Sequence, residues 1–276
     1  GTLFASNNLT SNSGSLTNSG TLQTNQDATL TTDKLTNSGK LITSGKGYNG
    51  IINASKLTNT KTGVIQSEID LALNVTDTLD NAGKLLASDD LLVNAATSAL
   101  AISNTNPGVI QAGNALTITG ANATFNTQSG TVLGNTTGIT VSSLNNSGTL
   151  QSDTAMNLTI GNGLANSGTL LSKTMLTSNS GSLTNSGTLQ ANDGSTIKAT
   201  GALDNSGLLL LSDSVTKAGT LNVGTLSNTG AGIIQSAQDL VINVSGDTLT
   251  NAKTIIAERD LTLTSIGDGM TLTNEN

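Results

Sequence analysis

Asp89 and Asp90 are the only adjacent carboxylates in this 276-residue chain. Glycoside hydrolysis uses two carboxylates at a defined separation, one as general acid and the other as base or nucleophile. Arg259 is the only arginine, so an elimination that needs an arginine base has a single candidate. The surroundings of these residues argue for turns instead. Asp89 and Asp90 stand in the phrase SDDL, which returns later as ERDL with Arg259 at the place of Asp89. A catalytic pair is not expected to survive that exchange. The chain has no Cys and no His, which removes thiol nucleophiles, disulfides, histidine triads and the common zinc sites. Neither the D-x-D-x-D-G loop nor the G-G-x-G-x-D nonapeptide of calcium-loaded repeats occurs. The scattered acidic residues read as a solvated face that limits lateral association. We therefore expect a non-enzyme with no cofactor and no metal.

Aromatic side chains are the usual platforms for sugars, and Phe4, Tyr48 and Phe125 are all there are. Phe125 takes an inward repeat position and reads as core. Tyr48 lies in a Gly-rich bulge, SGKGYNG, beside Lys46; these two residues are the candidate surface contact. The balance of 11 basic against 18 acidic residues gives a net charge of −7, which argues against a polyanion such as nucleic acid as partner. No stretch approaches the roughly 18 consecutive apolar residues of a membrane helix, so the chain is not expected to span a membrane.

The elements that must carry these side chains are set by a repeat. The phrase LTNSGTLQ occupies residues 16–23 and returns as LTNSGKLI at 35–42, LDNAGKLL at 79–86, LNNSGTLQ at 144–151, LANSGTLL at 164–171, LTNSGTLQ at 183–190 and LDNSGLLL at 203–210. With looser copies included, the anchoring asparagines are Asn18, Asn37, Asn59, Asn81, Asn104, a degenerate Asn126, Asn146, Asn166, Asn185, Asn205, Asn228, Asn251 and Asn274, at spacings of 19–23 residues. Between the anchors, phrases such as DLALNV at 70–75 and DLVINV at 239–244 alternate apolar and polar residues, the pattern of a strand with one buried face. Gly, Asn and Asp between them are expected to serve positive φ or side chain-to-backbone bonding.

A unit of about twenty residues has room for two or three short strands and no helix, which matches one coil of a parallel β-helix. One coil cannot bury its own aliphatic side chains, but stacked coils can, and such a core needs no aromatic bulk. The repeated asparagines are expected to stack as an amide ladder. We expect an all-β chain of about 12–13 coils with 19–23 residues per coil, and at about 4.8 Å per coil a stack about 60 Å long. Residues 10–23 and 177–190 are identical, and the likeness continues, so residues of about 10–95 read as duplicated in 177–265. Residues 1–276 are read as a single β-helical repeat segment excised from a longer chain, since Leu272, Thr273 and Asn274 open a further repeat.

L-x-N-S-G-x-L-Q followed by D-L-x-L resembles the haemagglutinin repeats of filamentous haemagglutinin and of CdiA-type contact-dependent growth-inhibition toxins, over essentially the whole chain. The resemblance implies a right-handed parallel β-helix. It also implies secretion from a Gram-negative bacterium through an outer-membrane two-partner secretion transporter, and a filament on the cell surface. As a stalk, such a segment presents adhesive or toxin regions to other cells; as a receptor-binding module, it recognises a target-cell receptor or glycan itself. Landmarks of a secretion domain or a toxin boundary are absent, so no toxin residues are assigned.

Overall fold

A computed structural model describes residues 1–95, 99–267 and 269–275. Its contacts divide the chain into two compact units, Gly1–Ser142 and Ser143–Asn276. Every element among the described residues is a β-strand, and every strand-to-strand pairing given below is parallel.

In the first unit, short strands at Thr2–Ala5, Thr21–Thr24, Lys40–Thr43, Val64–Ser67, Lys84–Ala87, Val109–Ala112 and Thr131–Gly134 stack one per coil. Their registers align Leu3, Leu22, Leu41, Ile65, Leu85, Ile110 and Val132 in one column. Longer strands at Leu9–Asn18, Ala28–Asn37, Gly50–Asn59, Leu71–Asn81 and Ala115–Asn126 stack likewise, and the fifth coil uses two pieces, Leu91–Asn94 and Ala101–Asn104. These align Leu16, Leu35, Leu57, Leu79, Ile102 and Phe125. Apart from those on the first coil, the side chains in these columns are buried. Each such Leu or Ile contributes about 1.5–3 kcal/mol by leaving water.

The long strands also show where a coil turns. Burial alternates along Ala28–Asn37 except at the consecutive exposed pair Asp33 and Lys34. Two neighbours facing solvent break the period of two, so the backbone changes face there. Each coil thus has three inward-facing runs, in keeping with the two or three short strands expected per unit, two of them joined through a corner.

The second unit repeats the plan. Its short strands, Thr149–Ser152, Thr169–Ser172, Thr188–Ala191, Leu208–Ser212, Ile233–Ser236 and Thr254–Ala257, align Leu150, Leu170, Leu189, Leu209, Ile234 and Ile255. Its long strands include Met156–Asn166, Leu176–Asn185, Ser195–Asn205 and Gly219–Asn228, and with the short pieces Thr248–Asn251 and Thr271–Asn274 they align Leu164, Leu183, Leu203, Leu226, Leu249 and Leu272.

Inward columns of this core carry occasional serines with unpaired hydroxyls, Ser178 and Ser195 among them. Ser178 stands between Leu158 and Ile197, is fully buried, and its hydroxyl has no hydrogen-bond partner. A buried, unpaired hydroxyl costs roughly 1–3 kcal/mol. Ser178→Ala is therefore expected to stabilise the second unit by about 1 kcal/mol, read as a raised denaturation midpoint at unchanged slope; a lowered midpoint would show that the hydroxyl is paired.

Candidate functional site

The asparagines come together in two ladders, one in each unit. In the first, Nδ2 of Asn18 donates to Oδ1 of Asn37 at 2.8 Å, Asn37 to Asn59 at 2.9 Å, Asn59 to Asn81 at 2.8 Å and Asn81 to Asn104 at 2.7 Å. In the second, Asn146 donates to Asn166 at 2.7 Å, Asn166 to Asn185 at 2.8 Å, Asn185 to Asn205 at 2.9 Å, and Asn205 to Asn228, Asn228 to Asn251 and Asn251 to Asn274 at 2.8 Å each. All amides point the same way along their stack. The remaining Nδ2 proton of an interior member goes to nearby backbone carbonyls, as in Asn205 to Gly207 O at 3.0 Å and Ile233 O at 3.2 Å. A buried amide is tolerable only when so satisfied, and a chain of such bonds is mutually strengthening.

The sixth anchor is corrected by one residue. Ser103 pairs with Asn126, which puts the inward position after Phe125 at Thr127, fully buried. The amide of Asn104 donates instead to the carbonyls of Gly108 and Thr131. The slip accompanies Gln128 and Ser129, two non-glycine residues with φ of 40° and 63°, in a turn that the phrase L-x-N-S-G does not describe.

The glycines beside the ladders have a different purpose from the one expected. Positive φ among the described glycines is confined to Gly47, Gly194, Gly230 and Gly269. The repeat glycines are needed because neighbouring coils touch there. A Cβ on Gly187 would lie 2.2 Å from the carbonyl oxygen of Gly168, and one on Gly39 would lie 2.0 Å from that of Gly20. Those same carbonyls accept the stacking bonds Thr188 N to Gly168 O at 2.9 Å and Lys40 N to Gly20 O at 2.8 Å.

The candidate surface contact is less concentrated. Lys46 is exposed at the tip of its turn, next to Gly47 at φ 85°. Tyr48 is half-buried, its ring lying over Gly45, where an added Cβ would meet Cδ2 at 2.7 Å. Asp90 is used by the backbone: its Oδ1 accepts from Asn114 Nδ2 and from Ala115 N, both at 2.9 Å. Arg259 reaches one coil back and forks onto Asp239, Nε to Oδ1 at 2.6 Å and Nη2 to Oδ2 at 2.5 Å, a partner that adjacency to Glu258 and Asp260 does not disclose.

These hydrogen bonds from Arg259 hold the Asp239 carboxyl below its ordinary value and raise the guanidinium. The Asp239 contact is thus fully present above a carboxyl's usual pKa of about 4 and is lost as pH falls through the lowered value. Lys173, assisted by Gln151, lowers Asp153 in the same way. The Lys173–Asp153 pair is exposed, and Arg259 is exposed over a half-buried Asp239, so both pairs are screened by solvent,.

An outward ladder stands apart from the anchors that the repeat phrase marks. Asn94 Nδ2 donates to Asn74 Oδ1 at 3.2 Å, and Asn74 to Asn53 at 2.9 Å. Its signal is an Asn at the fourth position of LALNV and LLVN, masked by the general abundance of Asn.

A family model for the haemagglutinin repeat matches residues 1–59, 47–101, 97–143, 132–207, 175–220 and 214–275. No curated protein and no solved structure matches the chain. No helix among the described residues is long and apolar enough to cross a membrane.

Proposed function

We propose, since the chain belongs to the haemagglutinin-repeat family, that it is a non-catalytic shaft segment of a large exoprotein held at the surface of a Gram-negative bacterium. The filament it contributes to presents adhesive or toxin regions to other cells. Export runs through an outer-membrane two-partner secretion transporter. The observation that carries this reading is that, coil after coil, the inward residues are spent on stacking. Aliphatic columns, amide ladders and close-approach glycines all serve contact with the next coil. Parallel strand pairing along the stack turns each repeat into a fixed increment of length, about 4.8 Å.

The test is binding of fluorescently labelled chain, at about 10 nM, to a panel of whole bacteria and epithelial cells. A shaft leaves no saturable signal that unlabelled chain competes away. Saturable, competed binding to one cell type would instead make the segment a receptor-binding module for a surface protein or glycan.

A further inference from the structure

We propose that the first unit carries a docking groove for an extended segment of a partner protein in which arginine alternates with leucine-like side chains. The groove has a volume of about 380 Å³ and is lined by residues between Asn49 and Thr117. Its floor is an outward column of aliphatic side chains, Ile51, Ala72 and Leu92, in register on three successive coils. At the same outward position the flanking coils carry Thr29 on one side and Thr117 on the other. The apolar floor is thus a local departure from the repeat, and it spans the length of about four extended residues.

Its rim is acidic. Asp70 and Asp90 each immediately precede one of the floor strands, and Asp90 N donates to Asp70 Oδ1 at 3.1 Å. Oδ1 of each aspartate is occupied by the chain's own N–H donors. Oδ2 of each has no hydrogen-bond or ion-pair partner among the described residues.

The second unit shows what such a stacked turn accepts. Asp239 is the counterpart of Asp70 and Asp260 that of Asp90, and between them Arg259 places its guanidinium on Asp239 at 2.5–2.6 Å. In the first unit the counterpart of Arg259 is Asp89. There the turn has three carboxylates, Asp70, Asp89 and Asp90, as the second unit has Asp239, Glu258 and Asp260, but among the described residues it receives no cation. The corresponding outward column of the second unit, Thr220, Val241 and Thr262, offers no continuous apolar floor. One copy therefore has the guanidinium without the groove, and the other has the groove and the empty acidic rim. An arginine supplied by a partner meets the rim as Arg259 meets Asp239, while neighbouring aliphatic side chains cover Ile51 and Leu92. This goes beyond the shaft reading, and a contact of micromolar strength would be almost unpopulated at the about 10 nM of the cell-binding test.

The probe is a fluorescein-labelled, acetylated Arg-Leu-Arg-Leu-Arg peptide, titrated with the full chain at low salt and read by anisotropy. Saturable one-to-one binding is expected. It should weaken about tenfold or more in three variants: Asp89→Arg, which supplies the guanidinium from within; Asp70→Asn with Asp90→Asn, whose amide oxygens keep the backbone bonds; and Ile51→Thr with Leu92→Thr, which copies the flanking coils. Circular dichroism confirms folding, and Asp193→Asn, an exposed charge of the second unit, should change nothing. An Arg-Gly-Arg-Gly-Arg peptide should bind weakly. Absence of saturable binding, equal affinity for the leucine and glycine peptides, or an Asp89→Arg chain that binds like the parent would each overturn the proposal.

Discussion

Asn205→Ala is expected to lower the stability of the second unit by about 3–5 kcal/mol, the sum of two orphaned amide groups and the space left behind. Asn205 sits mid-ladder, 1% exposed, accepting from Asn185 and donating to Asn228, Gly207 and Ile233. The alanine leaves the Nδ2 of Asn185 and the Oδ1 of Asn228 without each other's relay. Asn205→Asp is expected to be worse at neutral pH and to carry a diagnostic sign. A carboxylate there would face the oxygens of Asn228, Gly207 and Ile233 with no proton to give, and its burial would be uncompensated. Its folded pKa rises above the unfolded value near 4, so the protonated acid is the form that fits. The deficit of Asn205→Asp should then be smallest at low pH and should grow as pH rises through that unfolded value. Denaturant unfolding at pH 4 and pH 7 reads this directly; a deficit independent of pH would mean that the position is open to water.

Gly187→Ala is the second large effect, about 3 kcal/mol or more, and it reverses the usual sign of the substitution. Replacing glycine by alanine in a compatible strand ordinarily stabilises by roughly 0.4–1 kcal/mol through the unfolded chain. At Gly187 the new methyl would meet Gly168 O at 2.2 Å and the backbone of Ser167 at 2.6 and 2.8 Å. No flexible side chain can yield there. The coils must part, at the expense of the bond from Thr188 N to Gly168 O,. Gly138 is the control: nothing lies within 4 Å of the place a methyl would take there, so Gly138→Ala should be neutral or stabilising. Paired chemical melts of the two variants separate crowding from backbone entropy, and equal responses would contradict the close-approach explanation.

What the sequence disclosed, and what it hid, follows from the distance over which each constraint acts. The aliphatic columns and the anchor asparagines are legible because each coil repeats the same inward residue, so Leu164, Leu183 and Leu203 announce one another. The reason for the repeat glycines is not legible, because their neighbour is a carbonyl about twenty residues away and no local turn chemistry signals it. The same holds for Arg259, whose flanking acids suggest a merely solvated turn while its partner Asp239 lies a full coil back. Asn126 fails as an anchor for the opposite reason. The local letters suit one, but Gln128 and Ser129 take left-handed backbone angles without a glycine to mark them, and the inward place passes to Thr127. Of the candidate surface contact, the half-buried ring of Tyr48 and the exposed Lys46 are legible as a loop; the groove over Ile51, Ala72 and Leu92 is not, since its floor exists only once three coils are stacked.

If each coil is an interchangeable increment of length, the distance across a stack must grow by one spacing per inserted coil. The chain has no native cysteine, so spin labels can be placed at Ala165→Cys and Thr250→Cys alone. These outward positions share a register through Thr184, Asp204 and Ser227. Four coil spacings separate them, about 19 Å. Duplicating residues 186–205 in tandem inserts one coil that meets its neighbours with the same Asn and Gly. Double electron–electron resonance should then show a narrow distance distribution moving outward by about 5 Å, with cooperative unfolding retained. An unchanged distance, or a distribution broadened into that of a loop, would contradict a shaft built of stacked coils.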